Sequence, residues 1–240
     1  MTATGSTEAS RTENPPPAWV VVPWPGAVVA LAAVAIMIAT AIVAWPEMAA
    51  EIVTREADGR HGQSVVSREV TAVALPSVLL VLIVLFSVIL RADHELLKRT
   101  AMGQDRSPER ARRVLSWTLM GLSVTLVALH FGLLSLHTGD AYPFEKTVAA
   151  AGGLLITCLG AAAPLFAPGG RFIGRLEGFR AAQGRLYRRA GIVLVLAGMT
   201  TAVTAAFEPG LAMGVAVVSV GAVFLVVGLA AVRAAGKPSK

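Results

Sequence analysis

The sequence predicts an all-α integral membrane protein, a six-transmembrane-helix bundle with both termini cytoplasmic. Three observations predict it. Of the 240 residues, 55% are hydrophobic and 15% are charged, whereas soluble domains carry about 25% charged residues. The charges cluster in short segments between uncharged apolar runs, each long enough to cross roughly 30 Å of hydrocarbon. Lys and Arg fall on alternate segments, as they do where basic residues hold loops in the cytoplasm.

Residues 1–23 are polar and then proline-rich (Asn14-Pro15-Pro16-Pro17). They offer too little apolar surface to offset ordering, so a disordered cytoplasmic tail is expected. The membrane domain covers residues 24–233, and its first span is 26–45. A cleavable signal peptide is the alternative for this run, but it is long for such a core and no clearly basic segment precedes it. Residues 46–69 form a polar segment with acids and bases in similar number. The second span, 70–90, contains Pro76; neighbouring helices or water can satisfy the carbonyl that it frees. The basic segment 91–113 ends in Ser107-Pro108-Glu109-Arg110, a helix start with Ser as N-cap and Pro at the first position. That helix runs into the third span, 114–136.

A short loop, 137–146, leads to the fourth span, 147–167. The basic loop 168–189 follows, with six arginines against one acid, Glu177. The fifth span is 190–207, Glu208-Pro209-Gly210 forms a turn, and the sixth span is 211–232. Residues 234–240 are a basic cytoplasmic tail. This division puts 17 of the 21 Lys and Arg on one side of the membrane and four on the other. A missing or extra span would mix the two groups.

The net charge of +6 and the pI near 10.2 do not point to nucleic acid, because the basic residues flank the spans where topology requires them. The expected contact is the lipid bilayer, with anionic lipid at the cytoplasmic face. Phe172, Ile173, Leu176, Phe179, Leu186 and Tyr187 alternate with arginines in the basic loop. Such a segment can lie in the interface, rings in the acyl boundary and guanidiniums on phosphates. The competing reading is that these arginines only fix topology. Glycines 174, 178 and 184 predict a broken helix there.

No catalytic motif and no cofactor pattern is found: there is no nucleophile elbow, phosphate-binding glycine loop or HExxH. The chain is therefore read as not an enzyme. Cys158 is the one cysteine, so neither an intramolecular disulfide nor a cysteine metal motif can form. No Asp, Glu, Lys or Arg falls inside a span, which weighs against ion-coupled transport. His130 and His137 are seven apart on one face of the third span, and His61 lies in the loop on the same side, with Asp140 and Glu145 nearby. They are candidate zinc ligands, weighed against interfacial histidines that simply satisfy the backbone. Gly214, Gly221 and Gly228, preceded by Gly210, make a small-residue stripe on the sixth span, and Gly153 with Gly160 repeats it on the fourth. Packing within the bundle is one reading of these stripes, and a homodimer the other. Arginine outnumbers lysine 17 to four, and with abundant Ala, Val and Gly this points to a high-GC bacterial genome.

Two segments together resemble the SdpI-type family of bacterial membrane proteins. The first runs through Pro46-Glu47, Asp58-Gly59-Arg60, Ser67-Arg68 and Pro76 in the second span. The family's histidine before the Asp-Gly turn is absent; Ile52 to Arg55 occupies that region and His61 follows the turn. The second comprises Arg171-Phe172-Ile173-Gly174-Arg175 and the cluster Tyr187-Arg188-Arg189. The family's Asn and Thr-Pro are absent here, and Arg180 is a further arginine of the same loop. The resemblance implies a bacterial cell-membrane protein of six spans. It also implies immunity to, or sensing of, a secreted peptide toxin at residues 46–69, and a regulatory protein held at the cytoplasmic face. A small-solute transporter or channel, and a structural subunit packing through the glycine stripe, are the alternatives.

Overall fold

The computed structural model describes residues 22–55, 64–99, 108–166 and 175–235. Six helices follow the apolar runs: α1 (Trp24–Ala44), α2 (Arg68–Arg99), α3 (Pro108–Thr138), α4 (Phe144–Ala162), α5 (Arg175–Phe207) and α6 (Pro209–Ala235). Two strands, β1 (Glu51–Arg55) and β2 (Ser64–Ser67), lie between α1 and α2.

Five of the helices are long and apolar enough to cross a membrane: Trp24–Ala44, Arg68–Asp93, Glu109–Thr138, Phe144–Leu165 and Gly184–Phe207. In α6 the apolar stretch among the described residues is Pro209–Val223. Apolar side chains also cover the outside of the bundle. On α2, Val73, Val81, Val84 and Val88 are each more than half exposed, and Val217 and Val218 on α6 are 70% exposed. A soluble protein does not present so continuous an apolar surface to water. The chain is a membrane-embedded helical protein, and its exposed faces meet lipid.

α1 ends at a turn holding Pro46, which cannot continue the helix. Met37, Leu79 and Leu119 are fully buried where α1, α2 and α3 meet. Pro76 lies inside α2 without ending it. α3 starts at Pro108, where the sequence places the helix start. It joins the first three helices to α4, which packs in turn on α5. A 3-10 turn, Ala163–Phe166, closes α4. Only Glu208 separates α5 from α6, and Ala212 N–H donates to its carbonyl at 3.1 Å. α6 lies along α5, with a smaller contact on α4.

The polar segment after α1 is not only a loop. β1 and β2 pair antiparallel, with Glu51 opposite Ser67, Ile52 opposite Val66 and Val53 opposite Val65. The pairing is irregular between Val53 and Arg55. α5 is continuous from Arg175, with Gly178 and Gly184 inside it, so the helix break expected between these glycines is absent. Each glycine costs about 1 kcal/mol relative to alanine, and the good helix formers around them, such as Ala181, Ala182 and Leu186, offset it.

Candidate functional site

The C-terminal ends of α1, α3 and α5 and the N-terminal ends of α2, α4 and α6 lie at the hairpin end of the bundle. Residues 46–69, 137–146 and 208–210 hold eight acids and four bases. Among the described residues, the opposite ends of the helices carry four acids and 12 bases. The described part of the bundle is thus polarised along its axis, with six acids and three bases at the hairpin end and a strongly positive far end.

The hairpin is fastened to the helices rather than tethered by a linker. β2 runs directly into α2. Ser67 Oγ accepts the Val70 N–H at 3.4 Å, the N-cap interaction that satisfies a free donor of the first turn. Arg68 N–H donates to Ala50 O at 3.0 Å, extending the ladder. The Arg68 guanidinium sits 4.6 Å from the centre of the Trp45 ring, and its Nε donates to Glu69 at 3.3 Å. Ser67 and Arg68 therefore have local structural work at the hairpin–α2 junction.

His137 forms the second fastening. Its backbone carbonyl accepts from Ala49 N–H at 2.9 Å, and its Nδ1 donates to Ala49 O at 2.9 Å. Its Nε2 lies 2.9 Å from Thr71 Oγ1, a hydroxyl only 1% exposed. One imidazole thus bonds α3 to the start of the hairpin and to α2. Met48 packs beside it against Ala41 and Leu134. His130, fully buried one level deeper, donates from Nε2 to Met37 O on α1 at 2.9 Å. Its Nδ1 has no hydrogen-bond partner. His137 uses both ring nitrogens on protein groups, and no cluster of three or more His, Cys, Asp or Glu among the described residues could hold a metal ion. His61 lies outside the described residues.

Beside this clamp is a cleft of about 570 Å³ between the last turns of α1 and α3 and the connection to α4. Ala39, Val43, Phe131 and Leu134 form its apolar wall, and Glu47, Asp140 and Tyr142 stand around it as polar groups. Asp140 accepts the Thr138 hydroxyl at 2.6 Å. Glu47 was marked by its place after Pro46. Asp140 appeared only as a neighbour of the histidines, because nothing in a sequence reveals that two chain turns enclose a common space.

Of the other candidate residues, Asp58, Gly59 and Arg60, and Arg171 and Gly174 of the basic segment 168–189, lie outside the described residues. Arg175 and Arg180 fall on the first turns of α5. Arg188 and Arg189 are exposed further along it, and Tyr187 is half-buried.

The glycines divide into two kinds. A Cβ on Gly153 would stand 2.6 Å from Ala202 N and Gly198 O, and one on Gly160 would stand 2.7 Å from Val195 N. Gly191 reciprocates against Gly160 O at 2.7 Å, and Gly198 presses on Thr157. α4 and α5 thus touch backbone to backbone through two pairs of glycines, each pair seven residues apart. Gly191 and Gly198 carry the same spacing as the stripes read in the sequence and were not singled out there. On α6, by contrast, a Cβ on Gly214 or Gly221 would meet nothing within 4 Å, and one on Gly210 meets only Glu208 at 3.5 Å. Gly228 lies on the same helix, beyond the described side chains. Within this chain the α6 stripe at Gly214 and Gly221 is open.

Comparison of the chain with known protein families, with curated proteins and with solved structures finds no match in any of the three.

Proposed function

We propose that the chain is a non-enzymatic, SdpI-like protein of the bacterial cell membrane that protects against, or senses, a membrane-active agent. In this reading six helices span, both termini are cytoplasmic, and the hairpin faces outward. One observation carries it: the hairpin is clamped to α2 and α3 without a slack linker. A ligand that shifts the hairpin must act on Ser67 and Arg68 at the start of α2, and on His137 at the end of α3. The far ends of both helices lead into the basic segment 91–113. Occupancy outside is thereby coupled to a cytoplasmic surface that can meet anionic lipid or a regulatory protein.

Survival tests this. The gene is deleted in its host and restored as wild type, with alanine at Glu47, Asp58 and Arg60, or with glutamine at Arg171, Arg175 and Arg180. The cells are then challenged with membrane-active peptides. The expected result is resistance from the wild type alone, at equal membrane levels of all three proteins. A deletion strain that survives as well as its parent overturns the reading.

A second reading has its own observation. The open glycine stripe of α6 favours docking of another transmembrane helix, in a homodimer or a larger complex, through close backbone approach. A small-solute transporter or channel remains the reading to adopt if the purified protein conducts solute in liposomes.

A further inference from the structure

We propose that the cleft between α1, α3 and the α3–α4 connection binds a small membrane-partitioning organic cation: a bulky apolar body carrying one positive charge. This deepens the reading above by giving the agent a chemical class, and it rests on that reading only for its physiological meaning.

The volume, about 570 Å³, is that of a site for a small molecule. Its wall supplies apolar surface: Val43 is 79% exposed on the lipid side, while Leu134 is buried behind it. A ligand dissolved in the outer acyl region can therefore enter sideways from the bilayer.

The sign of the ligand's charge follows from the polar groups. The Ser and Thr hydroxyls that line the cleft are already committed as donors. Thr40 donates to the Ile36 and Met37 carbonyls at 2.9 and 3.0 Å, and Ser135 donates to Gly132 O at 2.8 Å. Thr138 donates to Asp140. An anion would find Tyr142 as its one side-chain donor and two carboxylates to repel it. A cation finds those carboxylates, Glu47 and Asp140, and no Lys or Arg among the described residues is ion-paired with either. Phe131 and Tyr142 also line the cleft, and aromatic rings attract a cation placed over their faces. Among the described residues, the surrounding end of the bundle has six acids and three bases, so its field draws cations in. Among the described residues no third His, Cys, Asp or Glu joins the two carboxylates to hold a metal ion, and an organic cation is the complementary ligand.

The test uses two ions of nearly equal shape and opposite charge. The full chain in nanodiscs of zwitterionic lipid is dialysed against tetraphenylphosphonium or tetraphenylborate, with empty nanodiscs as background. Saturable binding of one tetraphenylphosphonium per chain is expected, and no excess of tetraphenylborate. Glu47→Gln with Asp140→Asn should weaken binding at least tenfold, and Ala39→Phe, which fills the wall, should abolish it. Asp140 also holds Thr138, so Glu47→Gln alone, which removes no hydrogen bond seen among the described residues, guards against misfolding and should weaken binding severalfold. Equal excess of both ions, unchanged affinity in the carboxylate variants, or no saturable binding would each overturn the proposal. Saturable binding together with a deletion strain that survives as well as its parent supports the cleft and removes the protective reading; binding absent with protection intact removes the cleft alone.

Discussion

At the residue scale, His137 joins more of the structure than any neighbour near the hairpin. Its ring is 3% exposed and spans Ala49 O and Thr71 Oγ1. His137→Ala removes both bonds and leaves the buried Thr71 hydroxyl to find another partner. An unsatisfied buried polar group costs about 1–3 kcal/mol, so we expect a clear fall in melting temperature in detergent. We also expect faster proteolysis between residues 50 and 67, because one of the hairpin's two fastenings is reduced to the backbone bond from Ala49 N–H to His137 O. Unchanged melting and cleavage would show that Ser67 and the backbone pairing hold the hairpin alone. Ser67→Ala tests the other fastening, and the lost cap should cost about 1 kcal/mol. The sequence places His130 and His137 on one face of one helix, and that face is the one turned inward. Their partners were not legible. Met37 O and Ala49 O are backbone groups, identical at every position, and only the packing of α1 against α3 selects them.

At the scale of elements, glycine spacing was legible and its use was not. The stripes on α4 and α6 look alike in sequence, yet one is spent against α5 and the other is open. The difference lies in what stands opposite: α5 brings Gly191 and Gly198 at the matching spacing, while nothing among the described residues faces Gly214 and Gly221. Gly198→Leu must push α4 away from its backbone contacts, and overpacking of this kind costs about 1–3 kcal/mol or more. Gly214→Ala meets no atom and removes glycine's helix penalty, so it should be neutral or stabilising by up to about 1 kcal/mol. Thermal unfolding of the two variants in the same detergent checks the contrast, and equal losses would contradict it. Gly221→Leu should leave the monomer intact but reduce any dimer seen by crosslinking in membranes. The hairpin was missed for a different reason. Its strands are five and four residues long, and the charges around them read as a solvated loop. Pairing across the turn, which is long-range information, makes them strands.

For the whole molecule, the charge asymmetry becomes a statement about orientation. Seventeen of the 21 Lys and Arg fall outside residues 46–69, 137–146 and 208–210, and such a bias predicts that the end away from the hairpin is cytoplasmic. With Cys158 replaced by Ser, single cysteines at Val53 and Arg188 report the two ends, since both positions are exposed. In intact cells a membrane-impermeant maleimide should label position 53 at once, and position 188 only after permeabilisation. The reverse pattern would invert the molecule and put the cleft in the cytoplasm. A third cysteine, at Lys240, decides the number of spans. α6 has 27 residues, about 40 Å at 1.5 Å per residue, enough to cross roughly 30 Å of hydrocarbon. If it crosses, position 240 is protected like position 188, and the open stripe at Gly214 and Gly221 lies within the bilayer, where another helix can reach it. If position 240 labels with position 53, α6 does not cross. The stripe is then no transmembrane interface, and the basic tail lies on the hairpin side, against the charge rule that orders every other segment of the chain.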